Sequence, residues 1–140
     1  MRRATLRRRA PLKSRSHHAP TRTELDQLMR EVVVVRDRVC RRCGARAKPG
    51  RGGGLEVAHI MPKGQWPALR HELSNVVLLC HRDHHYWWHR NPIEAVLWLE
   101  HAFGAGYADQ LRVMALARSR PDPNMVRLYL TRERDRLLKL

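Results

Sequence analysis

The residues with the most chemical potential lie between Cys40 and His89. Three cysteines (Cys40, Cys43, Cys80) and a set of histidines (His59, His81, His84, His85, His89) fall in this stretch, with Asn75 among them. Cys40 and Cys43 form a C-x-x-C turn that ends in Gly44, and Cys80 closes a run of apolar residues. Thiolates spaced this way suit a tetrahedral structural zinc, which needs a fourth ligand. His84, in a C-x-x-x-H relation to Cys80, is the first candidate, with His81 and Asp83 as runners-up. Four protein ligands leave no open position for water, so this Zn²⁺ would be a scaffold. The competing reading of C-x-x-C is a redox dithiol. A fully paired disulfide framework is excluded, because the cysteine count is odd.

The remaining residues suit cutting a phosphodiester bond. That reaction needs a base to activate water, a cation to neutralise charge on the phosphate and leaving oxygen, and fixed geometry. His59 can be the base, since imidazole exchanges protons near neutral pH. His85 and His89 are four residues apart, so on an α-helix they share a face and can chelate one metal. Asn75 can hydrogen-bond backbone across the preceding loop and so orient His59. Imidazole ligation favours Mn²⁺, Ni²⁺, Co²⁺ or Zn²⁺ over Mg²⁺ held by oxygen alone. Taken singly, each histidine is more often an ordinary structural residue. The joint pattern carries the reading. Trp87 and Trp88 read as helix-packing aromatics.

The elements that must position these groups are also legible. Thr21 or Thr23 can cap a helix, with Glu24 and Asp26 in its first turn. Leu25, Leu28, Met29, Val32 and Val33 carry an apolar helical stripe to about residue 37, although the valine run alone would suit a strand. Residues 44–54 are rich in turn formers. LEVAHI (55–60) and Val76–Leu79 are short strand candidates around a Pro- and Gly-containing loop. Residues 81–89 suit a helix that ends before Asn91-Pro92. Pro92 starts a second helix that Gly104 can terminate. Further helices are predicted over 107–118 and 124–139, separated by Pro121-Asp122-Pro123.

The chain has 140 residues and 43% apolar content, which suits one small core. It carries 28 basic against 13 acidic residues, a formal charge of +15, which points to a polyanionic partner. Nucleic acid is that expected partner. Residues 1–20 form a basic, Pro-interrupted arm, expected to be disordered and to track phosphates. No apolar run reaches membrane-spanning length, and no secretory leader is evident, so the expected location is the cytoplasm.

The order Cys-x-x-Cys, LEVAHIMP, LSNVVLLC and HHYWWH resembles the HNH endonucleases, in particular their zinc-containing phage-type branch. The resemblance spans roughly residues 36–92. It implies an α+β fold with a small ββα-metal, treble-clef-like core, a structural zinc, and flanking N-terminal and C-terminal helices. It implies hydrolysis of DNA with one catalytic divalent metal, leaving 5′-phosphate and 3′-hydroxyl ends. By position His59 corresponds to the general base, Asn75 to the middle Asn, His85 to the last His, and His89 to a further metal ligand. Cys40, Cys43 and Cys80 correspond to zinc cysteines.

Two departures from the family pattern stand out. Ala58 occupies a position where many members have a metal-ligating Asp or His, and Glu56, two residues earlier, is a candidate substitute. The fourth zinc cysteine is absent, so CHRDHH has two registers. His84 on zinc with His85 catalytic is the preferred one, because it leaves His89 at i+4. In the other, Asp83 binds zinc and His84 is catalytic. Arg41, Arg42, Arg82 and Arg90 flank the site and are candidates for DNA phosphates. The expected organisation is a basic arm (1–20), a zinc-stapled nuclease domain (21–103) and a C-terminal helical extension (104–140). That extension is a candidate buttress of the core, a dimer surface, or a contact for phage packaging or recombination partners. The alternative function is a zinc-stapled DNA-binding module that has lost cleavage.

Overall fold

The computed structural model describes residues 18–48 and 51–140. Most of the expected basic arm lies outside the described residues. Helix α1 (Arg22–Asp37) starts at Thr21, whose hydroxyl accepts the Glu24 amide at 3.2 Å while the Glu24 carboxylate accepts the Thr21 amide at 2.6 Å. This reciprocal box satisfies two donors that a helix start leaves without intrahelical partners. Leu25, Met29, Val32 and Val33 are buried along one face. The valine run is therefore helical, because its positions continue a 3.6-residue stripe into the core.

Strands β1 (Leu55–His59) and β2 (Val76–Cys80) pair antiparallel, with Ala58 opposite Val77 and His59 opposite Val76. β2 is buried along Val76–Leu79, which explains its unbroken apolar run. Its outer edge is closed by the end of α1 and the turn that follows. The Leu78 amide donates to Asp37 Oδ2 at 3.0 Å, the Leu78 carbonyl accepts from the Arg41 amide at 2.9 Å, and Arg36 Nη2 donates to the Val76 carbonyl at 2.8 Å. Arg38 makes the bend from α1 into this turn with φ 63°, a conformation side chains other than glycine rarely adopt.

A short π-helical turn (Asp83–Trp88) follows β2, where a regular helix is expected from the sequence. Then come α2 (Pro92–Phe103), α3 (Tyr107–Ala117) and α4 (Pro123–Leu138). Their boundaries agree with the caps and breakers in the sequence to within a residue or two. The buried cluster joins α1, both strands, Trp87, Trp88, Ala95 and Leu99, and it takes in Val126 and Leu130 of α4. The architecture is α+β, with one two-stranded sheet among helices. Among the described residues, no helix is long and apolar enough to cross a membrane.

Candidate active site

The Cys-x-x-Cys turn is a tight knuckle. Cys40 N donates to the Ala45 carbonyl and Gly44 N to the Cys40 carbonyl, both at 2.8 Å, and Gly44 supplies the positive φ (75°) that the reversal requires. All three cysteines are free thiols. Cys43 Sγ lies 3.7 Å from Cys80 Sγ, and Cys40 Sγ lies 3.3 Å from Asp83 Oδ2. Two thiolates held tetrahedrally at about 2.3 Å from one ion stand about 3.8 Å apart, so the sulfur spacing fits a shared cation. The four donor atoms of Cys40, Cys43, Cys80 and Asp83 lie within 4.8 Å of one another and could hold a metal ion. The Asp83 amide also donates to Cys80 Sγ at 3.4 Å.

Without an ion the Cys43 thiol is pushed up to about 12, by desolvation first and then by the Asp83 carboxylate. A bound cation inverts that balance, since a coordinating thiol is deprotonated outright. Burial pushes the Asp83 carboxyl up, but hydrogen bonds from Cys43, Cys40 and Arg42 outweigh it and leave it below the usual range.

His84, expected as the fourth ligand, is elsewhere. Its Nδ1 contacts Glu56 Oε2 at 2.6 Å, and Asp83 takes the place beside the cysteines. The backbone explains the difference. His89 N bonds the His84 carbonyl at 3.3 Å, an i→i+5 link, so the π-turn stacks residues five apart. His84 Nε2 and His89 Nε2 are 3.2 Å apart, with ring centroids at 4.8 Å, whereas the His85 and His89 centroids are 6.1 Å apart. Two imidazole nitrogens at about 2.1 Å from one ion are separated by about 3.0–3.4 Å between right-angle and tetrahedral geometry. His84 therefore takes the partner position to His89 that an α-helix would have given His85.

Glu56, the candidate substitute for the ligand missing at Ala58, is a hub for three histidines, which its spacing alone does not reveal. Its carboxylate contacts His81 Nδ1 at 3.0 Å, His84 Nδ1 at 2.6 Å and His85 Nε2 at 2.7 Å. Burial raises its carboxyl, but these three hydrogen bonds prevail and hold it at about 2. An ionised Glu56 fixes the proton of neutral His84 on Nδ1 and leaves a lone pair on Nε2, the carboxylate–histidine arrangement common behind metal ligands. Burial keeps His84 below the ordinary histidine value despite this anion. Glu56, His84 and His85 are themselves a group that could hold an ion.

His59 Nε2 lies 2.8 Å from the Arg70 carbonyl. A carbonyl only accepts, so Nε2 carries the hydrogen and Nδ1 keeps the lone pair. Burial first, then Lys63 and Arg70, lower the His59 pKa, so it is neutral at neutral pH. Asn75 is wholly buried and touches backbone alone. Its Oδ1 accepts the Met61 amide at 2.7 Å, and its Nδ2 donates to the Met61 and Leu69 carbonyls at 3.1 Å. It thus fastens the carbonyl adjacent to the one that holds His59. Arg70 is secured in turn by Asp26 of α1 at 2.6 and 2.9 Å, and His71 contacts the same carboxylate at 2.8 Å. His71 has no assignable role from sequence. Its link to Asp26, 45 residues away, leaves no local signal.

His59, His84 and His89 line one open cavity of about 330 Å³ with Val57, Ile60, Lys63 and Trp88. Lys63 is a cation in this cavity that motif reading passes over, because it lies in an irregular loop. Of the four candidate phosphate arginines, Arg82 is 77% exposed. Arg41 lies over Phe103 (5.5 Å) and Arg90 over Tyr86 (5.0 Å). Arg42 is turned inward, onto Asp83 at 2.8 Å and over the Trp87 ring at 3.9 Å.

Residues 40–86 match the family model described as HNH endonuclease. The match covers about a third of the chain and contains both cysteine segments, His59, Asn75 and His84. It points to nuclease-type chemistry on DNA and to metal binding. No curated protein and no solved structure matches the chain.

Proposed function

We propose that this protein is a divalent-metal-dependent endonuclease of HNH type that hydrolyses DNA phosphodiester bonds. Its core is read as the ββα-metal kind, with zinc in the Cys40–Cys43–Cys80–Asp83 site as its scaffold. The observation that carries the reading is the shared cavity. It brings a histidine with one committed nitrogen, His59, together with the facing Nε2 atoms of His84 and His89.

In this reading His59 Nδ1 takes the proton of the attacking water. The resulting imidazolium is stabilised through Nε2–H by the Arg70 carbonyl, and Asn75 keeps that loop in place. His84 and His89 hold the catalytic ion, and Glu56 sets the His84 tautomer. When bound, the ion supplies positive charge to the phosphate and the leaving oxygen. Lys63 adds a fixed cation at the same cavity. The water oxygen joins phosphorus as the bond from phosphorus to the 3′ oxygen breaks, and that oxygen takes a proton from solvent, leaving 5′-phosphate and 3′-hydroxyl ends.

One observation favours the rival reading of a DNA-binding module without cleavage. Ala58 is fully buried and offers no ligand where many family members have one. Nicking of supercoiled plasmid by the wild type and by His59→Ala, with Mn²⁺ present, separates the two. Nicking that His59→Ala abolishes is expected. Equal nicking, or none in either protein, would overturn the enzyme reading.

A further inference from the structure

Asp83 is an unusual fourth partner for three cysteines, and its two oxygens face different ways. Oδ2 lies 3.3 Å from Cys40 Sγ, while Oδ1 accepts Arg42 Nη1 at 2.8 Å. The Asp83 side chain is 1% exposed, so neither oxygen has water as its main partner. The guanidinium is itself held, with Cζ 3.9 Å from the centroid of the Trp87 ring. The Trp87 indole N–H donates to Glu94 at 3.0 Å, which ties that ring to α2. Arg42 comes from the two-residue spacer of the Cys-x-x-Cys knuckle, so it reaches Asp83 from the metal site's own loop. Arg82 approaches the same oxygen only to 3.9 Å from a largely solvated position.

We propose that Arg42 is a positioning residue for the metal of the cysteine site, presenting Asp83 to the ion through Oδ2 alone. This rests on the reading of Cys40, Cys43, Cys80 and Asp83 as a metal centre. The physical need is twofold. A carboxylate can bind an ion through one oxygen or both, and engagement of Oδ1 by a guanidinium selects the first mode. Three thiolates and a carboxylate around a divalent ion also leave surplus negative charge in a partly buried place, and an adjacent cation offsets a share of it whichever ligand stands at position 83. A cysteine at position 83 would have no second acceptor atom for Arg42 to hold. Arg42 is thus the companion of the carboxylate at this position, and a substrate-phosphate role for it is set aside.

The test is Zn²⁺ affinity of the full chain, measured by competition with a chromophoric chelator, with the absorption of the Co²⁺-loaded protein as a report on ligand geometry. Removing an outer partner of a metal ligand typically weakens binding about 10–100-fold, and that loss is expected for Arg42→Met, with an altered Co²⁺ spectrum. Arg82→Ala should bind as the wild type does. In an Asp83→Cys background, Arg42→Met should cost much less than in the wild type. An unchanged affinity in Arg42→Met, or the same loss in both backgrounds, would overturn the proposal and leave Arg42 as a packing partner of Trp87. Should Arg42→Met fail to fold, Arg42→Leu, which likewise has no donor for Oδ1, gives the same comparison. A wild-type protein that binds neither ion at this site would sink the metal reading itself, a distinct result.

Discussion

His59 has one nitrogen committed and one left to react, and burial keeps it neutral. The sign of its pH dependence follows. The unprotonated form is the base, and its pKa is lowered, so cleavage should be flat around neutrality. It should fall as pH drops through a value below the ordinary histidine pKa of about 6.5. His59→Ala should lose about 10²–10⁴-fold in rate, the usual contribution of a positioned base. A pH–rate profile with an inflection above that ordinary value would contradict the assignment. The two neighbouring histidines of the π-turn have opposite expectations. His84→Ala and His89→Ala should abolish metal-supported cleavage. His85→Ala, at the outer side of Glu56, should retain most of it, as plasmid nicking at fixed Mn²⁺ can show. Mn²⁺ or Ni²⁺ should support cleavage at least as well as Mg²⁺, because both nitrogens are imidazole.

At the level of elements, the parts read most easily from sequence are those with local punctuation. Thr21 with Glu24 marks the start of α1, and Pro92 and Gly104 bracket α2. The π-turn carries no such mark. Over six residues an apolar pattern does not separate i+4 from i+5 stacking, so the close histidine pair is His84/His89 where a regular helix would make it His85/His89. For the same reason Asp83, not His84, joins the cysteines. Glu56 is legible as a candidate ligand, but its contacts with the histidines and the Asp26–Arg70–His71 contacts are not, because they join residues far apart in the chain through side chains alone. Arg38 gives an element-scale test. Its positive φ strains a side chain by about 1–3 kcal/mol, while glycine costs about 0.5–1 kcal/mol in lost chain freedom. Arg38→Gly should leave thermal stability unchanged or raise it, and Arg38→Val should lower it by about 1 kcal/mol or more, read from denaturant midpoints.

For the whole molecule, charge is the dominant property. With +15 on 140 residues, DNA affinity should fall steeply with salt, by about 10³–10⁵ between 50 and 200 mM if six to ten phosphates are contacted. Fluorescence anisotropy with a short duplex measures this, and a shallow salt slope would argue against a phosphate-tracking surface. The closed edge of β2 has a consequence of another kind. The Val76 carbonyl and both backbone groups of Leu78 are occupied by Arg36, Asp37 and Arg41, so these groups offer no template to a strand from another molecule. That seal is made by the stretch that leads into the cysteine knuckle, so the protected edge and the proposed metal centre share one segment of backbone. Loss of an ion from the proposed centre would therefore act on the same segment that keeps this edge from pairing with other copies.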